Sequence, residues 1–363
     1  MNLLKQAVLL GNADTKRTTY FRQAAEQAGL PVLFVDWKDI PLWKENQLVD
    51  WKDIPLRKKN QMRQGEYLIK IDPPLWDSCY LEELEQLARS YREQLRMLSE
   101  AAESYPLKFI NDPVAIGQLL DKRVCKKKLE QAGLSVTRLL EQGQVNIRTA
   151  QQLFCAMQKA GVYQVFIKPV NGSGAAGVSA FRWQPKTGRM ALYTCALLHP
   201  ESGFVNTKRL RRFVRTEEVT AYLDRILALD CVIERWYAKA EYKNCSYDLR
   251  AVVLDGKIEY LLGRLSRGPV TNLHLNNHPL EAGEPGIPER VLEEIALLCK
   301  KATDCFEGIR IAGIDILLEK GSLRPRIIEM NAQGDLIYQD IFHENRIYKR
   351  QVQMMREWME KKH

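Results

Sequence analysis

Apolar residues along this chain come in short runs punctuated by glycine, proline and asparagine, a pattern that predicts alternating strands and helices. Ala7-Val8-Leu9-Leu10 is a buried-strand run that stops at Gly11-Asn12. Residues Thr15 to Ala28 fit a helix ended by Gly29, and Pro31-Val32-Leu33-Phe34-Val35 is the next strand. Strand, helix and strand in that order open an α/β domain. Gly11-Asn12-Ala13 at the end of the first strand could approach a ligand, though a lone glycine reads first as a plain turn.

The pattern continues with a strand over Glu66–Asp72, ended by Pro73-Pro74, and a long helix over 80–101. Asp112-Pro113 opens a helical segment containing Asp121-Lys122, and Leu129 to Val136, with Gly133, reads as a helix end passing into a strand. A helix is expected over 149–160 and strands over 164–170, 231–237, 249–254 and 257–264. A helix follows over 287–305, and the chain ends in Arg- and Lys-rich helical sequence. One segment repeats. Val35-Asp36-Trp37-Lys38-Asp39-Ile40-Pro41-Leu42 recurs as Val49-Asp50-Trp51-Lys52-Asp53-Ile54-Pro55-Leu56. Two short copies are too few for a stacked solenoid, so 35–61 reads as a local duplication in a loop of the first domain.

One stretch breaks the apolar pattern in an informative way. Ile311 to Leu318 and Arg326 to Ala332 read as two core strands joined by a turn at Gly321, yet they carry Asp315, Glu329 and Asn331. Glu329 and Asn331 are two apart and project from one face of a strand. At roughly 3.3 Å per residue their stems stand roughly 6–7 Å apart. That spacing suits side chains converging on metal ions about 3.5–4 Å apart. An unpaired carboxylate at Asp315 among Ile and Leu would be costly, and a cation is the simplest repair. Two carboxylates and an amide are oxygen ligands, which suit a hard ion such as Mg²⁺ rather than zinc.

Composition narrows the setting. The 363 residues suffice for two or three domains, and 45% apolar with 27% charged residues is ordinary for a globular protein. No run of about 18 apolar residues predicts a membrane span. The short apolar N-terminus leads straight into the first strand and lacks a cleavage site, so no signal peptide is read there. The eight cysteines are scattered without a CxxC pair, which argues for reduced thiols in a cytoplasm. The net charge of +9 favours anionic partners. The densest cluster, Lys208-Arg209-Leu210-Arg211-Arg212 with Arg215, is equally readable as a solvated face or a substrate-facing patch. Lys126-Lys127-Lys128 and Arg57-Lys58-Lys59 read as solvated faces. No nucleic-acid module accompanies them, and no Ser/His/Asp or Cys/His nucleophilic set is present.

Two further segments carry candidate chemistry. Val165-Phe166-Ile167-Lys168-Pro169 puts a lysine at the end of an apolar strand, directly before Asn171-Gly172-Ser173-Gly174-Ala175-Ala176-Gly177-Val178. Small residues let backbone N–H groups approach phosphate oxygens while the lysine supplies charge. Cys231-Val232-Ile233-Glu234-Arg235-Trp236-Tyr237 is an apolar strand running into a polar hinge. Asp248-Leu249-Arg250, Arg264 and Pro269-Val270-Thr271-Asn272-Leu273-His274 follow, and Arg suits a carboxylate or a phosphoryl group.

Taken in order, Asp121-Lys122, Phe166-Ile167-Lys168-Pro169 with its glycine loop, Asp248-Leu249-Arg250, Thr271-Asn272-Leu273-His274, Gly313-Ile314-Asp315 and Glu329-Met330-Asn331 resemble the ATP-grasp superfamily of carboxylate–amine ligases. The likeness is nearest to the branch containing the ribosomal-protein glutamate ligase and glutathione synthetase, and it runs from about Asn111 to Asn331. It implies an N-terminal open α/β domain over 1–108, an ATP-grasp small lobe over 109–235 and a large lobe over 236–363 with the metal site and C-terminal helices. By resemblance, Lys122, Lys168, Ser173 and Gly174 hold ATP phosphates, and Glu234, Arg235 and Trp236 frame the adenine, mainly through backbone. Asp248 contacts the nucleotide, with Glu241 a second candidate for the ribose. Arg250, Lys168 and Asn272 serve the transferring phosphoryl group or the intermediate. Asp315, Glu329 and Asn331 bind two Mg²⁺ ions, with Mn²⁺ as a substitute. The implied reaction activates a carboxylate as an acylphosphate and joins it to an amine, releasing ADP and phosphate. The alternatives are a kinase of the same fold, a non-catalytic nucleotide-binding module, and an RNA- or ribosome-associated protein. The carboxylate and its acceptor are unspecified, whether amino acid, peptide or small metabolite, and the family suggests a homodimer.

Overall fold

A computed structural model describes residues 4–39, 65–75, 78–140, 147–172, 174–199, 203–275, 277–332 and 343–361. Most of the duplicated segment, and Ser173 of the glycine loop, lie outside the described residues.

The first apolar runs form a parallel sheet. Strands β1 (Leu4–Gly11), β2 (Val32–Asp36), β3 (Gly65–Ile71) and β4 (Leu107–Phe109) lie in the order β2-β1-β3-β4. Ala7 to Leu10 are buried in succession, as a parallel strand covered on both faces requires. Helix α1 (Lys16–Gln27) starts where the Thr15 side chain accepts the Thr18 N–H. The Trp37 indole, in the first copy of the duplication, is buried and donates to the Asp72 carbonyl at 2.8 Å. Helix α2 (Leu81–Ser104) covers one face of the sheet, and β4 carries the chain across residue 108.

Helices α3 (Pro113–Leu120) and α4 (Lys122–Gln131) meet at Asp121. The Asp121 carboxylate accepts the N–H groups of Arg123 and Val124, so the aspartate of this motif is a helix cap. Helix α5 (Ala150–Ala160) then leads into an antiparallel sheet of β5 (Gln164–Pro169), β6 (Ser179–Gln184), β7 (Arg189–His199), β8 (Gly203–Phe213) and β9 (Cys231–Arg235), in the order β8-β7-β6-β5-β9. Helices α5 and α6 (Thr216–Ala228) cover one of its faces, with Leu153, Met157, Phe181 and Leu223 in a core of its own.

The third sheet is antiparallel, in the order β13-β12-β11-β14-β15: β11 (Cys245–Leu254), β12 (Lys257–Ser266), β13 (His278–Glu281), β14 (Ile311–Leu318) and β15 (Pro325–Asn331), with β10 (Glu241–Tyr242) paired to β11. Helices α7 (Glu289–Asp304) and α8 (Arg346–Glu360) complete it. This sheet shares its cores with the first. Leu249, Ala251 and Ile314 pack with Val8, Ile69 and Tyr91, while Val252, Leu254 and α8 pack with Leu9, Phe21 and Leu68.

Asn111 stitches the two layers. Its side-chain N–H groups donate to the carbonyls of Ile311 (2.7 Å) and Ala332 (2.6 Å), and its oxygen accepts from the N–H groups of Arg310 and Ile311. Beside it Gly308 has a positive φ of 80°, and a Cβ there would come within 2.5 Å of Asp112 Cβ, so the approach needs glycine. The architecture is α/β, an open N-terminal layer followed by two lobes. Among the described residues no helix is long and apolar enough to cross a membrane.

Candidate active site

The three sheets enclose a cleft of about 530 Å³. Its walls include Lys122 from α4, Lys168 from β5, the glycine loop after it, Arg250 and Arg264, the turn at 272–275, and Asp315, Glu329 and Asn331 from the β14–β15 hairpin. Of the two readings of the Gly11-Asn12-Ala13 turn, the placement favours approach to a ligand, because Asn12, Thr15 and Arg17 line the same cleft.

Strand register builds the hairpin wall. Arg250 on β11 lies directly across from Asp315 on β14, and Asp315 directly across from Glu329 on β15. Directly opposed residues share a face, and Asn331 joins them two positions on. The buried carboxylate of Asp315 finds its cations within the protein: Arg250 donates to Oδ1 at 2.5 Å and Arg264 to Oδ2 at 3.1 Å. Two guanidinium groups thus supply cationic charge to the carboxylate for which the sequence expects a cation. Arg264 also donates to Asp248 at 2.7 Å, and Lys239 donates to the other Asp248 oxygen at 3.0 Å. Burial pushes the Asp248 carboxyl up, but Arg264 and Lys239 outweigh it and hold the group well below the carboxylate range. Arg264 is correspondingly held above its ordinary value by Asp248 and Asp315 in spite of burial. Glu329 is open by contrast, its side chain 26% exposed with Lys122 at 3.9 Å. The Asn331 amide, oriented by its neighbours, donates to Glu329 and accepts from Arg250, each at 3.2 Å.

A second ion cluster lies on the small-lobe side. Glu234 is 2% exposed and accepts from Lys168 at 2.9 Å and from the Thr137 hydroxyl at 2.8 Å, with Lys126 at 3.5 Å. Burial raises this carboxyl, yet Lys126 and Lys168 more than offset it and leave it lowered. Lys126 is only 3% exposed, so the expectation of a solvated Lys126–Lys128 face fails at its first residue. Helix α4 turns Lys126 inward, where it also donates to the Ile328 carbonyl at 2.6 Å. Burial lowers its own pKa, against the pull of Glu234.

Between Lys168 and the hairpin the chain forms the glycine turn. Lys122 donates to the Gly172 carbonyl and reaches that of Val170 at 3.4 Å. Gly174, Ala175 and Gly177 all have positive φ, the left-handed conformation that glycine adopts readily. At Gly177 a Cβ would meet the Pro169 ring at 2.7 Å.

A narrower recess continues past Glu234, lined by Phe166, Tyr237, Leu317 and Ile328 with Arg235, Lys239 and Asn272 at its edges. Tyr237 lines this recess and Trp236 does not: the Trp236 ring packs on Phe166, Tyr193 and Arg182. The N–H groups of Arg235 and Trp236 already donate to the carbonyls of Arg138 and Gln164. Glu241 lies elsewhere, on β10, where it accepts from Lys320 at 2.7 Å. The other named residues within the described structure converge on the cleft or its recess. Sequence reasoning gave no role to Lys126, Thr137, Lys239 and Thr271. Lys126 could have been found from its spacing to Leu129, which is three positions on and shares its helix face.

No protein-family model and no curated protein matches the sequence. Solved structures do match over nearly the whole length. A Chryseobacterium gregarium RiPP-associated ATP-grasp ligase, in complex with ADP and a leader and core peptide, aligns with a TM-score of 0.60 and 14% identity, covering 97% of each chain. The ATP-grasp ligase PsnB, complexed with minimal precursor, Mg and ADP, aligns with a TM-score of 0.59 and 15% identity over 98% of each chain. The D-cycloserine synthetase DcsG aligns with a TM-score of 0.55 and 12% identity, covering 96% of this chain and 99% of its own. At such identities the likeness is one of fold, and the fold is that of the ATP-grasp ligases.

Proposed function

We propose that this protein is an ATP-dependent ligase that activates a carboxylate as an acylphosphate and joins it to an amine. The observation that carries the reading is the convergence of Lys122, Lys168, Arg250, the glycine turn and the Asp315–Glu329–Asn331 face on one cleft with an apolar recess at its side. The recess suits a purine, and the lysines and peptide groups suit its phosphates. The similar structures are ATP-grasp ligases, one in complex with Mg and ADP and others with precursor or leader and core peptides, which supports ATP, Mg²⁺ and an amino-acid or peptide substrate here. Within the superfamily we place the chain nearest to the glutamate-ligase and glutathione-synthetase branch on its motifs, and expect a homodimer. The eight cysteines, all free, support a reducing cytoplasm.

The donor set fits a hard cation. Among the described residues no three His, Cys, Asp or Glu side chains gather into a metal group, so two acids need the Asn331 amide to complete three oxygens on one face. Bound there, Mg²⁺ or Mn²⁺ supplies neutralising charge to phosphoryl oxygens. The chain does the rest by positioning. A substrate carboxylate oxygen attacks the γ-phosphorus, the bond to ADP breaks, and an acylphosphate forms. Arg250, held between Asp315 and Asn331, faces the charge that spreads over the phosphoryl group. The amine nitrogen then attacks the acyl carbon, phosphate leaves with the bonding pair, and the nitrogen loses a proton.

An ATP-dependent phosphate-release screen against amino acids and peptides, read by mass analysis, tests this. A new amide with ADP and phosphate is expected. A stable phosphoester would assign the kinase reaction instead.

A further inference from the structure

We infer that His274 is the base that takes the proton from the amine as it attacks the acylphosphate; this rests on the ligase reading above. That reading leaves one proton to be placed, because the nitrogen that joins the acyl carbon must shed it as phosphate leaves. Among the described residues that line the cleft, His274 is the single histidine, and no cysteine or tyrosine accompanies it. The other ionisable groups on that wall are already engaged or offer no lone pair. The Asp315 carboxylate accepts from Arg250 and Arg264. Glu329 belongs to the face that suits a cation. Lys122 donates to the Gly172 carbonyl and Lys168 to Glu234. The arginines and Lys208 supply donors and no acceptor.

The turn that carries the imidazole is held by its own backbone and by two asparagines. Leu273–Leu275 form one 3-10 turn. The His274 N–H donates to the Asn272 side-chain oxygen at 2.9 Å, and the Leu275 N–H to the Asn272 carbonyl at 3.1 Å. The Asn277 amide donates to the carbonyls of Val270 and Asn272 at 2.8 and 2.9 Å. The imidazole itself makes no hydrogen bond among the described residues. It stands against the glycine turn, where a Cβ at Gly174 would come 3.7 Å from its Cδ2. On the ligase reading the phosphoryl group lies between that turn and Arg250, and the charge of Arg250 acts on the ring.

The His274 side chain is exposed, so an amine can reach it. The protein around the ring nevertheless desolvates it enough to lower the imidazole below its ordinary value, and the charges of Lys208 on β8, Arg250 on β11, Arg264 on β12 and Arg17 on α1 lower it further. The ring is therefore neutral at pH 7 and keeps a lone pair for a proton. In the step itself, the amine lone pair forms the C–N bond to the acyl carbon, and the C–O bond to phosphate breaks with its electron pair. A ring nitrogen of His274 takes the proton that the amine nitrogen sheds. The imidazolium so formed, set among cations, passes it to solvent.

Two transfers, compared in one variant, separate a base from a structural role. The full chain, with ATP and Mg²⁺, receives the amino acids and peptides of the phosphate-release screen as acids. The acceptor is either the amines of that same set or hydroxylamine, which is largely unprotonated at neutral pH and attacks acylphosphates without a base. His274→Gln is expected to lower amide formation about 10²-fold or more, and hydroxamate formation by less than about threefold, with ADP affinity within about twofold of wild type. Imidazole added to His274→Ala should restore amide formation about tenfold or more. Equal losses of amide and hydroxamate, or an amide rate in His274→Gln within about threefold of wild type, would overturn the base. Neither amide nor hydroxamate from the wild type with any of these acids would sink the ligase reading, and the base with it.

Discussion

Glu234 and Glu329 are both glutamates near the end of an apolar strand, and the protein treats them in opposite ways. Glu234 sits between Lys168, Lys126 and Thr137 with its oxygens fully engaged and almost no exposure. Glu329 has one lysine at 3.9 Å, an amide neighbour and a quarter of its side chain open. A carboxylate closed in by cations positions its neighbours. One left partly open can take a ligand. The contrast separates a closed carboxylate from an open one on the same cleft, which neither residue's sequence context does.

The sharpest way to break this contrast is to remove the open group. Glu329→Ala and Lys168→Ala should each abolish ATP turnover, a loss of about 10²–10³ or more in rate. Far-UV circular dichroism should still report a folded chain. Near-normal turnover in either variant would mean that the site lies elsewhere. Next is the closed group. Glu234→Gln strands two buried ammonium groups and should cost about 3–5 kcal/mol in urea unfolding, far more than Glu329→Gln. Equal costs would erase the distinction. Asp315→Asn is intermediate, because Arg264 keeps Asp248; a loss of about 1–3 kcal/mol is expected from the same measurement.

The acid limb gives a subtler test. Glu234 has its folded pKa depressed, so its contribution is present above the unfolded value of about 4.3 and is lost as pH falls below it. The wild-type unfolding midpoint should therefore drop more steeply below about pH 4.3 than that of Glu234→Gln. Parallel acid limbs would contradict the depressed pKa. The smallest effect is expected at Glu241, which faces Lys320 rather than the recess: Glu241→Ala should change the KM for ATP by less than about twofold.

The hairpin was legible because a period of two fixes which side chains share a face, and Asp315, Glu329 and Asn331 obey it. The N-terminal strand–helix–strand was legible for another reason, continuous apolar runs closed by glycine and proline. The small-lobe strands 179–213 and the helix after them were not. β8 is an edge strand with Lys208, Arg209, Arg211 and Arg212 exposed, so no buried face imprints an alternation on its sequence. Lys126 was misread because three consecutive lysines look solvated, whereas a helix turns one of them inward every three to four residues. Tyr237 rather than Trp236 lines the recess, since a strand that leaves its sheet at Arg235 no longer dictates which side chain faces which way.

Asn111 bears on how this chain can be taken apart. Its single amide is divided among four backbone groups at the ends of the β14–β15 hairpin, so the junction after the first layer belongs to both layers at once. A fragment ending at residue 108 would leave Phe109 of β4 behind, and the remainder would begin with a strand end stripped of its sheet. The N-terminal layer is therefore no detachable module. Swapping it between proteins to change substrate would have to carry Asn111, Asp112 and the facing Gly308 along with it.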